Sequence, residues 1–339
     1  MSMRGIVETG NGPVETLYVI GGRQRAARSL RDGQEVWQGY DKGLVLRVEV
    51  ETGTVSTCFE YDSPPDVVAE EEPAISLQAS TVDGNLLYTC TETEVMVYSI
   101  PDFELLHYVS LPCFNDVHHV RPSPSGNIVV ANAGLEMVLE MTPAGEIVRA
   151  WNALGKDPWA DVDPELDYRR ISTKPHRAHP NYVFYLGSEL WATRFHQGDA
   201  VSLEESGRSI QLSDERVHDG LLHEGRLYFT TVDGKIVVAD AERLEVIETI
   251  DLATLSDERE LLGWCRGVLI DGKRLWVGFS RIRPTQFREN VSWVARGFRR
   301  GKPTHIACYD LERRTCLTEI DLEPAGLSAL YSILPAPSR

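Results

Sequence analysis

Four short apolar segments follow one another between Val217 and Asp251: HDGLLH, RLYFTT, KIVVADA and LEVIETI. They are rich in Val, Ile, Leu, Tyr and Thr and alternate in part with polar residues, which is typical of strands with one buried face. The breaks between them, HEG, VDG and DAER, carry the Gly or Asp that tight hairpin turns require. The pattern therefore predicts a four-stranded antiparallel meander.

The same unit recurs along the chain, which indicates a repeat architecture. Further copies occupy residues 75–111, 115–151, 177–212 and 263–322, the last interrupted by a long insertion at 281–303. Residues 16–62 supply only three strands, and the segment 327–335, LSALYSILP, supplies a fourth. Joining the two ends closes a ring without free sheet edges. We therefore predict an all-β fold, a single six-bladed β-propeller domain of four-stranded antiparallel blades, closed by the C-terminal strand. An immunoglobulin-like sandwich is the alternative, but it does not explain five repeats and a split sixth.

In such a ring the first strand of each blade lines the central channel, and its start shares a rim with the end of the second strand. Long connections at 23–42, 152–174 and 281–303 are expected there as lids or binding loops. The segment 281–303 carries seven basic residues and predicts a helical lid whose arginines, Arg281 among them, capture an anion. The alternative is a basic helix on an acidic surface or a subunit contact. The acidic loop 152–174 either covers the pocket or connects two blades.

Six of the nine histidines fall on this predicted rim. The rim residues are Asp116, His118, His119, His176, His179, Asn181, Arg194, His196, His218, Asp219, Cys265 and Arg266. Imidazoles and carboxylates delivered from separate strands can form a metal site with an open position, or can act as acids and bases. We predict metal ligands among His119, His179, His218 and Asp219, and acid–base roles for His196 and His218. The alternative is that these histidines have only a structural role and form hydrogen bonds with the backbone of the loops. Periodicity does not decide whether His118 or His119 faces the channel, because a one-residue slip inverts every side chain.

Composition narrows the choice of partners and compartment. The net charge of −17, from 51 acidic and 34 basic residues, argues against nucleic acid and anionic membranes. No secretory signal or membrane-spanning run is evident, and the six cysteines are dispersed without a CxxC pair. We expect a reduced, cytoplasmic protein. Phosphate loops, the Rossmann fingerprint and the GxSxG elbow are absent from the sequence.

Two segments resemble a known group of propellers. HDGLLHEGRLYFTT is similar to the DG…G-x-LW-x-A segment of the six-bladed SMP-30/gluconolactonase/strictosidine synthase-like proteins, and HPNYVFYLGSELWAT is similar to their N-G-…-LY segment. The resemblance implies a divalent cation in the channel, held by Asp219 and Asn181. The histidines that crowd the same region favour Fe, Zn, Cu or Mn, with Ca less expected.

These observations predict a metal-dependent enzyme that acts on a small, anionic substrate at the channel mouth. Hydrolase, lyase and oxygenase chemistry all remain open, because a fold does not determine a reaction. The predicted substrate-binding residues are Arg194, Arg266, Asn181, Arg281 and Tyr331. The alternatives are a non-catalytic binding scaffold and a metal-free acid–base cyclase.

Overall fold

Antiparallel pairing joins the strands of this chain into six separate four-stranded sheets. A computed structural model describes residues 13–25, 39–70, 73–256, 261–282 and 301–337. Within these residues the all-β, six-bladed propeller predicted from the repeats is confirmed. The sandwich alternative is thereby excluded.

In chain order, the first twelve strands are β1 (Thr16–Gln24), β2 (Tyr40–Glu49), β3 (Val55–Tyr61), β4 (Thr81–Asp83), β5 (Leu86–Cys90), β6 (Val95–Ser99), β7 (Leu105–Val109), β8 (Val117–Pro122), β9 (Ile128–Asn132), β10 (Met137–Met141), β11 (Ile147–Asn152) and β12 (Pro180–Leu186). The second twelve are β13 (Glu189–Arg194), β14 (Asp199–Ser202), β15 (Ser209–Gln211), β16 (Val217–His223), β17 (Arg226–Thr231), β18 (Lys235–Asp240), β19 (Glu245–Asp251), β20 (Trp264–Asp271), β21 (Arg274–Ser280), β22 (His305–Asp310), β23 (Thr315–Asp321) and β24 (Ala329–Pro335). Short 3-10 turns lie at Pro65–Val67, Ala133–Leu135, Tyr168–Arg170, Leu252–Thr254 and Glu323–Ala325.

The C-terminal strand closes the ring. Blade one has the order β24-β1-β2-β3, so β24 is its innermost strand and pairs antiparallel with β1. Val19 faces Ile333 in this pairing, although more than 300 residues separate them. Blades two to six are β4–β7, β8–β11, β12–β15, β16–β19 and β20–β23. The inner strand β24 also contacts β4 and β20, the inner strands of the neighbouring blades.

The hydrophobic core lies between the blades rather than at the centre of the ring. Six clusters of buried side chains fill the six interblade interfaces, one at each junction. Trp191 and Trp276 are fully buried in two of them. Burial of each large apolar side chain stabilises the fold by about 1.5–3 kcal/mol. The channel is therefore free to hold polar residues.

Five inner strands carry a β-bulge in their first half. The register shifts between Val117 and His119 in β8, and corresponding shifts occur in β12, β16, β20 and β24. A bulge inserts an extra residue and re-aims the neighbouring side chains, and bulges are common beside functional sites. In β8 the extra residue is His118. The bulges bring polar residues from four blades to one mouth of the channel.

Two of the predicted long loops lie largely outside the described residues. These are 26–38 of the connection 23–42 and 283–300 of the predicted lid 281–303. The loop 152–174 is described, and its Tyr168 N–H donates to the Pro112 carbonyl at 2.8 Å. No helix in the described part of the chain is long and apolar enough to cross a membrane.

Candidate metal centre

Asp116, His176 and His179 bring three ligand atoms together at the channel mouth. The Nδ1 atoms of His176 and His179 are 2.6 Å apart and share a hydrogen bond. Asp116 Oδ2 lies 3.6 Å from the first and 3.7 Å from the second. A point equidistant from three atoms so placed is about 2 Å from each, which is the length of a bond from Zn²⁺ to imidazole nitrogen or carboxylate oxygen. The spacing therefore suits one metal ion.

The hydrogen bonds around His176 fix which of its nitrogens can bind a metal. Thr173 Oγ1 donates its only proton to Asn115 Oδ1 at 2.9 Å. The same oxygen lies 3.0 Å from His176 Nε2 and must accept a proton from it. His176 in its neutral form therefore carries its proton on Nε2 and presents a lone pair at Nδ1. An imidazole whose second nitrogen is held by a neighbouring group is the usual state of a metal-binding histidine.

Asp116 Oδ2 is the only carboxylate atom among the three. It is buried and has no hydrogen-bond partner among the described residues. Burial would raise the pKa of this carboxyl, but the bases around it, His118 foremost and then Lys174, hold the pKa below its usual value. Burial lowers the pKa of both His176 and His179, which keeps them neutral. An ionised carboxylate and two neutral imidazoles are the protonation states that metal binding needs.

The backbone holds two of the three candidate ligands in an uncommon conformation. Asp116 has φ of 50° and His179 has φ of 56°, both in the left-handed region that non-glycine residues seldom adopt. Glu136, itself at φ of 58°, accepts hydrogen bonds from the backbone N–H groups of Ala178 at 2.9 Å and His179 at 2.7 Å. It also accepts one from the backbone N–H of Arg177. Such strain persists only where the surroundings enforce it, and it is frequent at functional sites.

Asn115 ties the loop 152–174 to the start of β8. Its Nδ2 donates to the carbonyl oxygens of Tyr168 at 2.5 Å and Ile171 at 2.8 Å, while its Oδ1 accepts from Thr173. The space for this side chain exists because residue 134 is glycine. A Cβ at Gly134 would lie 1.9 Å from Asn115 Oδ1. The loop therefore does more than connect two blades, because it supplies Thr173 and positions His176.

A second group of polar residues adjoins this centre within the channel. The ring of His118 lies 4.5 Å from that of His179 and 5.9 Å from that of His218, measured between centroids. His118 Nδ1 donates to the Asp116 carbonyl at 2.9 Å, which leaves Nε2 unprotonated in the neutral ring. His218 Nδ1 lies 3.4 Å from Asp219 Oδ1. Burial lowers the pKa of His218 to about 4.

Of the four ligands expected from the sequence, only His179 belongs to the three-atom group. His119 lies elsewhere and both its nitrogens are used: Nδ1 accepts from the Val183 N–H at 3.2 Å, and Nε2 lies 3.1 Å from Thr81 Oγ1. His119 therefore joins three blades. His218 and Asp219 lie in the adjoining group instead.

The predicted substrate-binding residues have different surroundings. Arg194 forms a two-pronged ion pair with Asp199, at 2.8 and 2.5 Å, so its guanidinium is already engaged. Arg281 pairs with Glu323 at 3.4 Å and with Gln24. By contrast, the Arg266 guanidinium lies over the ring of Tyr331. The structure therefore brings only this last pair together.

The two remaining predicted residues differ in their exposure. The exposed ring of His196 is 6.1 Å from that of His179. Asn181 is fully buried, and its Nδ2 donates to the Val217 carbonyl at 3.3 Å.

Sequence reasoning placed Asp116 and His176 on the rim without including them among the ligands, and it missed Glu136, Thr173 and Glu92. Glu92 follows β5, and burial together with the charge of Asp116 raises the pKa of its carboxyl to about 8. The available signal was the spacing of three residues between His176 and His179 in PHRAHP, directly before β12. Glu136 and Thr173 act through hydrogen bonds to the backbone and a ring nitrogen, which leave no sequence motif.

The comparisons with known proteins bear only on the fold of this chain. No protein-family model matches this chain, and no curated protein sequence matches it. A protein of unknown function from Bacteroides caccae has a similar structure, with a TM-score of 0.62, 13% identity, and coverage of 96% of this chain and all of that one. The Cps50 (Swd1) β-propeller domain of Myceliophteria thermophila gives a TM-score of 0.49 at 13% identity, over 90% of this chain and 89% of that one.

Proposed function

We propose that this protein is a metal-dependent enzyme whose mononuclear centre is held by Asp116, His176 and His179 at the channel mouth. One observation carries the proposal. The buried Asp116 Oδ2 has no hydrogen-bond partner in the described part of the chain, and it faces two Nδ1 atoms at distances that suit a shared ion. Two imidazoles and one carboxylate with open positions are typical of non-haem Fe(II) oxygenases and of catalytic Zn²⁺ sites. The metal is therefore Fe, Zn, Mn or Cu rather than Ca.

Three protein ligands leave room for water and substrate on the metal. A metal held by these residues would polarise an oxygen of the substrate or lower the pKa of bound water. His118 is placed to move a proton, because its unprotonated Nε2 belongs to a ring 4.5 Å from that of His179. Hydrolysis, lyase chemistry and oxygenation are each compatible with these parts. We expect a small-molecule substrate, because Asp116 Oδ2 is a buried atom that a large partner would not reach easily.

A second candidate follows from the resemblance to the SMP-30/gluconolactonase group, which implies a cation at Asn181 and Asp219. One observation favours it: Oδ1 of each is buried and has no hydrogen-bond partner within the described residues. This site uses oxygen ligands and suits Ca²⁺. Calcium that is retained in His176→Ala and lost in Asp219→Asn would support it over the histidine centre.

Cobalt substitution tests the proposed enzyme centre. Metal-free protein is titrated with Co²⁺ and its visible absorption is recorded before and after azide is added. We expect one equivalent of Co²⁺ in a low-symmetry site, and a spectral change with azide because a coordination position is open. His176→Ala is expected to abolish the spectrum, whereas His119→Gln leaves it intact. Tight binding with no response to azide would indicate a closed structural site.

The same titration separates the remaining alternatives. Protein that binds no Co²⁺ and no other transition metal would contradict the proposal. The His218–Asp219 pair would then favour metal-free acid–base chemistry, because a carboxylate 3.4 Å from Nδ1 can orient an imidazole as a proton acceptor. If the protein is a non-catalytic binding scaffold, replacement of both His218 and Asp219 would additionally leave its ligand binding unchanged.

A further inference from the structure

Arg266 is held by aromatic rings beside the proposed centre. Its guanidinium carbon lies 4.5 Å from the centroid of the Tyr331 ring and 5.5 Å from that of Trp264. Tyr331 belongs to β24 and Arg266 to β20, so the arginine bridges the inner strands of blades one and six. Stacking fixes the plane of a guanidinium and leaves its N–H edge directed outward.

No carboxylate in the described part of the chain lies within ion-pair distance of Arg266, although the chain carries an excess of acidic residues. Its Nε is buried and has no hydrogen-bond partner among the described residues. Arg194 differs in this respect, because its guanidinium donates to both carboxylate oxygens of Asp199. A buried donor without a partner costs free energy comparable to a lost hydrogen bond, so an external anion would relieve a real deficit.

A continuous set of contacts links this arginine to the metal centre. The Gly267 N–H, one residue from Arg266, donates to Asp219 Oδ2 at 2.8 Å, and Asp219 Oδ1 lies 3.4 Å from His218 Nδ1. The ring of His218 in turn lies 5.9 Å from that of His118, which contacts His179. The charge of Arg266 is close enough to contribute to lowering the pKa of Asp116. Arg266 and the proposed centre therefore belong to one contiguous group of polar residues in the channel.

We infer that Arg266, stacked on Tyr331, is the binding site for a carboxylate group of the substrate whose other end reaches the proposed metal centre. The inference rests on the proposed function and specifies its substrate class. A carboxylate matches the planar fork with two parallel hydrogen bonds. A phosphate dianion is disfavoured, because Asp219 and Asp116 add negative charge nearby and repulsion grows with the charge of the ligand.

Calorimetry with three small probes tests this assignment. Succinate, succinamide and inorganic phosphate are titrated into the Zn²⁺-loaded protein and into the metal-free protein. We expect succinate to bind more tightly than the other two, and Arg266→Gln to weaken its binding by about tenfold or more. Arg266→Lys should recover only part of this, since it keeps the charge and loses the fork.

Arg149→Gln provides the matched control, because Arg149 also stacks on an aromatic ring, Trp151 at 4.6 Å, but lies on the outer strand β11. It should bind succinate as the unmodified protein does. Circular dichroism and Zn²⁺ content check that Arg266→Gln folds and keeps its metal. Unchanged succinate affinity in Arg266→Gln, no succinate binding at all, or phosphate bound as tightly as succinate, would overturn the inference.

Failure of the proposed function has a different signature. Succinate that binds to the metal-free protein in an Arg266-dependent manner, in a protein that takes up no metal, would leave the carboxylate site standing and remove the metal centre. If metal binds normally and Arg266→Gln does not change the affinity for succinate, the metal centre would stand and the carboxylate site would be removed.

Discussion

The carboxylate of Glu136 accepts a hydrogen bond from the backbone N–H of His179 at 2.7 Å. It also binds the N–H groups of the two preceding residues, so one side chain sets the path of the loop that carries a proposed ligand. We expect Glu136→Ala to lower Zn²⁺ affinity about 10- to 100-fold, the usual effect of removing a group that orients a ligand. Competition with a chromophoric chelator measures this.

Glu140→Ala is the matched control for Glu136. Glu140 lies in the same blade and accepts from Ser125 and Asn127, both at 2.9 Å, away from the three ligand atoms. Its loss should leave Zn²⁺ affinity unchanged. Equal affinities in the Glu136 and Glu140 variants would show that the loop holds His179 without Glu136.

Gly134→Ala should disturb the centre from a distance. The added Cβ would lie 1.9 Å from Asn115 Oδ1, so Asn115 must move and release Thr173. His176 then loses the partner of its Nε2. We expect a loss of about 1–3 kcal/mol in the free energy of unfolding, the usual cost of overpacking, together with weaker metal binding. Urea unfolding and chelator competition measure the two effects.

Gly301→Ala is the comparison for Gly134, because no atom lies within 4 Å of a Cβ built there. It should change neither quantity. If Gly134→Ala keeps full metal affinity, the route from Asn115 through Thr173 to His176 does not hold the ligand in place.

The buried histidines should make the fold sensitive to acid. Burial lowers the pKa of His119 to about 3 in the folded protein, against about 6.5 in the unfolded chain. The unfolded state therefore takes up a proton below pH 6.5 while the folded state does not. The contribution of His119 to the free energy of unfolding is therefore fully present above pH 6.5 and is lost as the pH falls toward 3. By pH 5 this residue alone removes about 2 kcal/mol from the free energy of unfolding.

His119→Gln should accordingly lose about 2 kcal/mol less than the unmodified protein between pH 7.5 and pH 5, measured by urea unfolding in the presence of chelator. His107→Gln, on the exposed face of β7, should follow the unmodified protein. An identical pH dependence in all three would contradict the assignment of His119 as a buried neutral residue.

Glu94 joins blades one and two through hydroxyl donors. It is fully buried and accepts from Tyr61 at 2.5 Å, Thr91 at 2.8 Å and Tyr108 at 3.0 Å, as well as from Ser63. Glu94→Ala leaves these hydroxyls without their acceptor and should lower the free energy of unfolding by about 3 kcal/mol. Glu104→Ala, exposed in the same blade, should cost far less. Equal urea midpoints for the two variants would refute this role.

The repeat and its closure could be predicted from the sequence because both depend on local pattern. Strands such as β17 and β18 are buried on both faces and read as apolar runs, whereas outer strands such as β19 alternate between exposed and partly buried positions. The orphan strand at Ala329–Pro335 had no partner in sequence other than the incomplete first blade. These features follow from hydrophobic periodicity, which acts over a few residues.

The ligand set could not be predicted in the same way. Alternation along NDVHHV predicts only which side chains share a face of the strand, and not which face lines the channel. The bulge at His118 then breaks this alternation between Val117 and His119. A bulge is decided by pairing with β9, which the sequence of one strand does not show. The left-handed backbone at Asp116 and His179 redirects those side chains once more. The sequence therefore grouped these polar residues on one rim and could not choose the atoms that meet there.

Elemental analysis of protein purified without a histidine tag is the decisive measurement for the proposed metal centre. We expect close to one equivalent of Fe, Zn, Cu or Mn per chain, lost in Asp116→Ala and in His176→Ala and retained in His119→Gln. Absence of metal from the unmodified protein, or metal that persists after both ligand changes, would contradict a centre built from Asp116, His176 and His179.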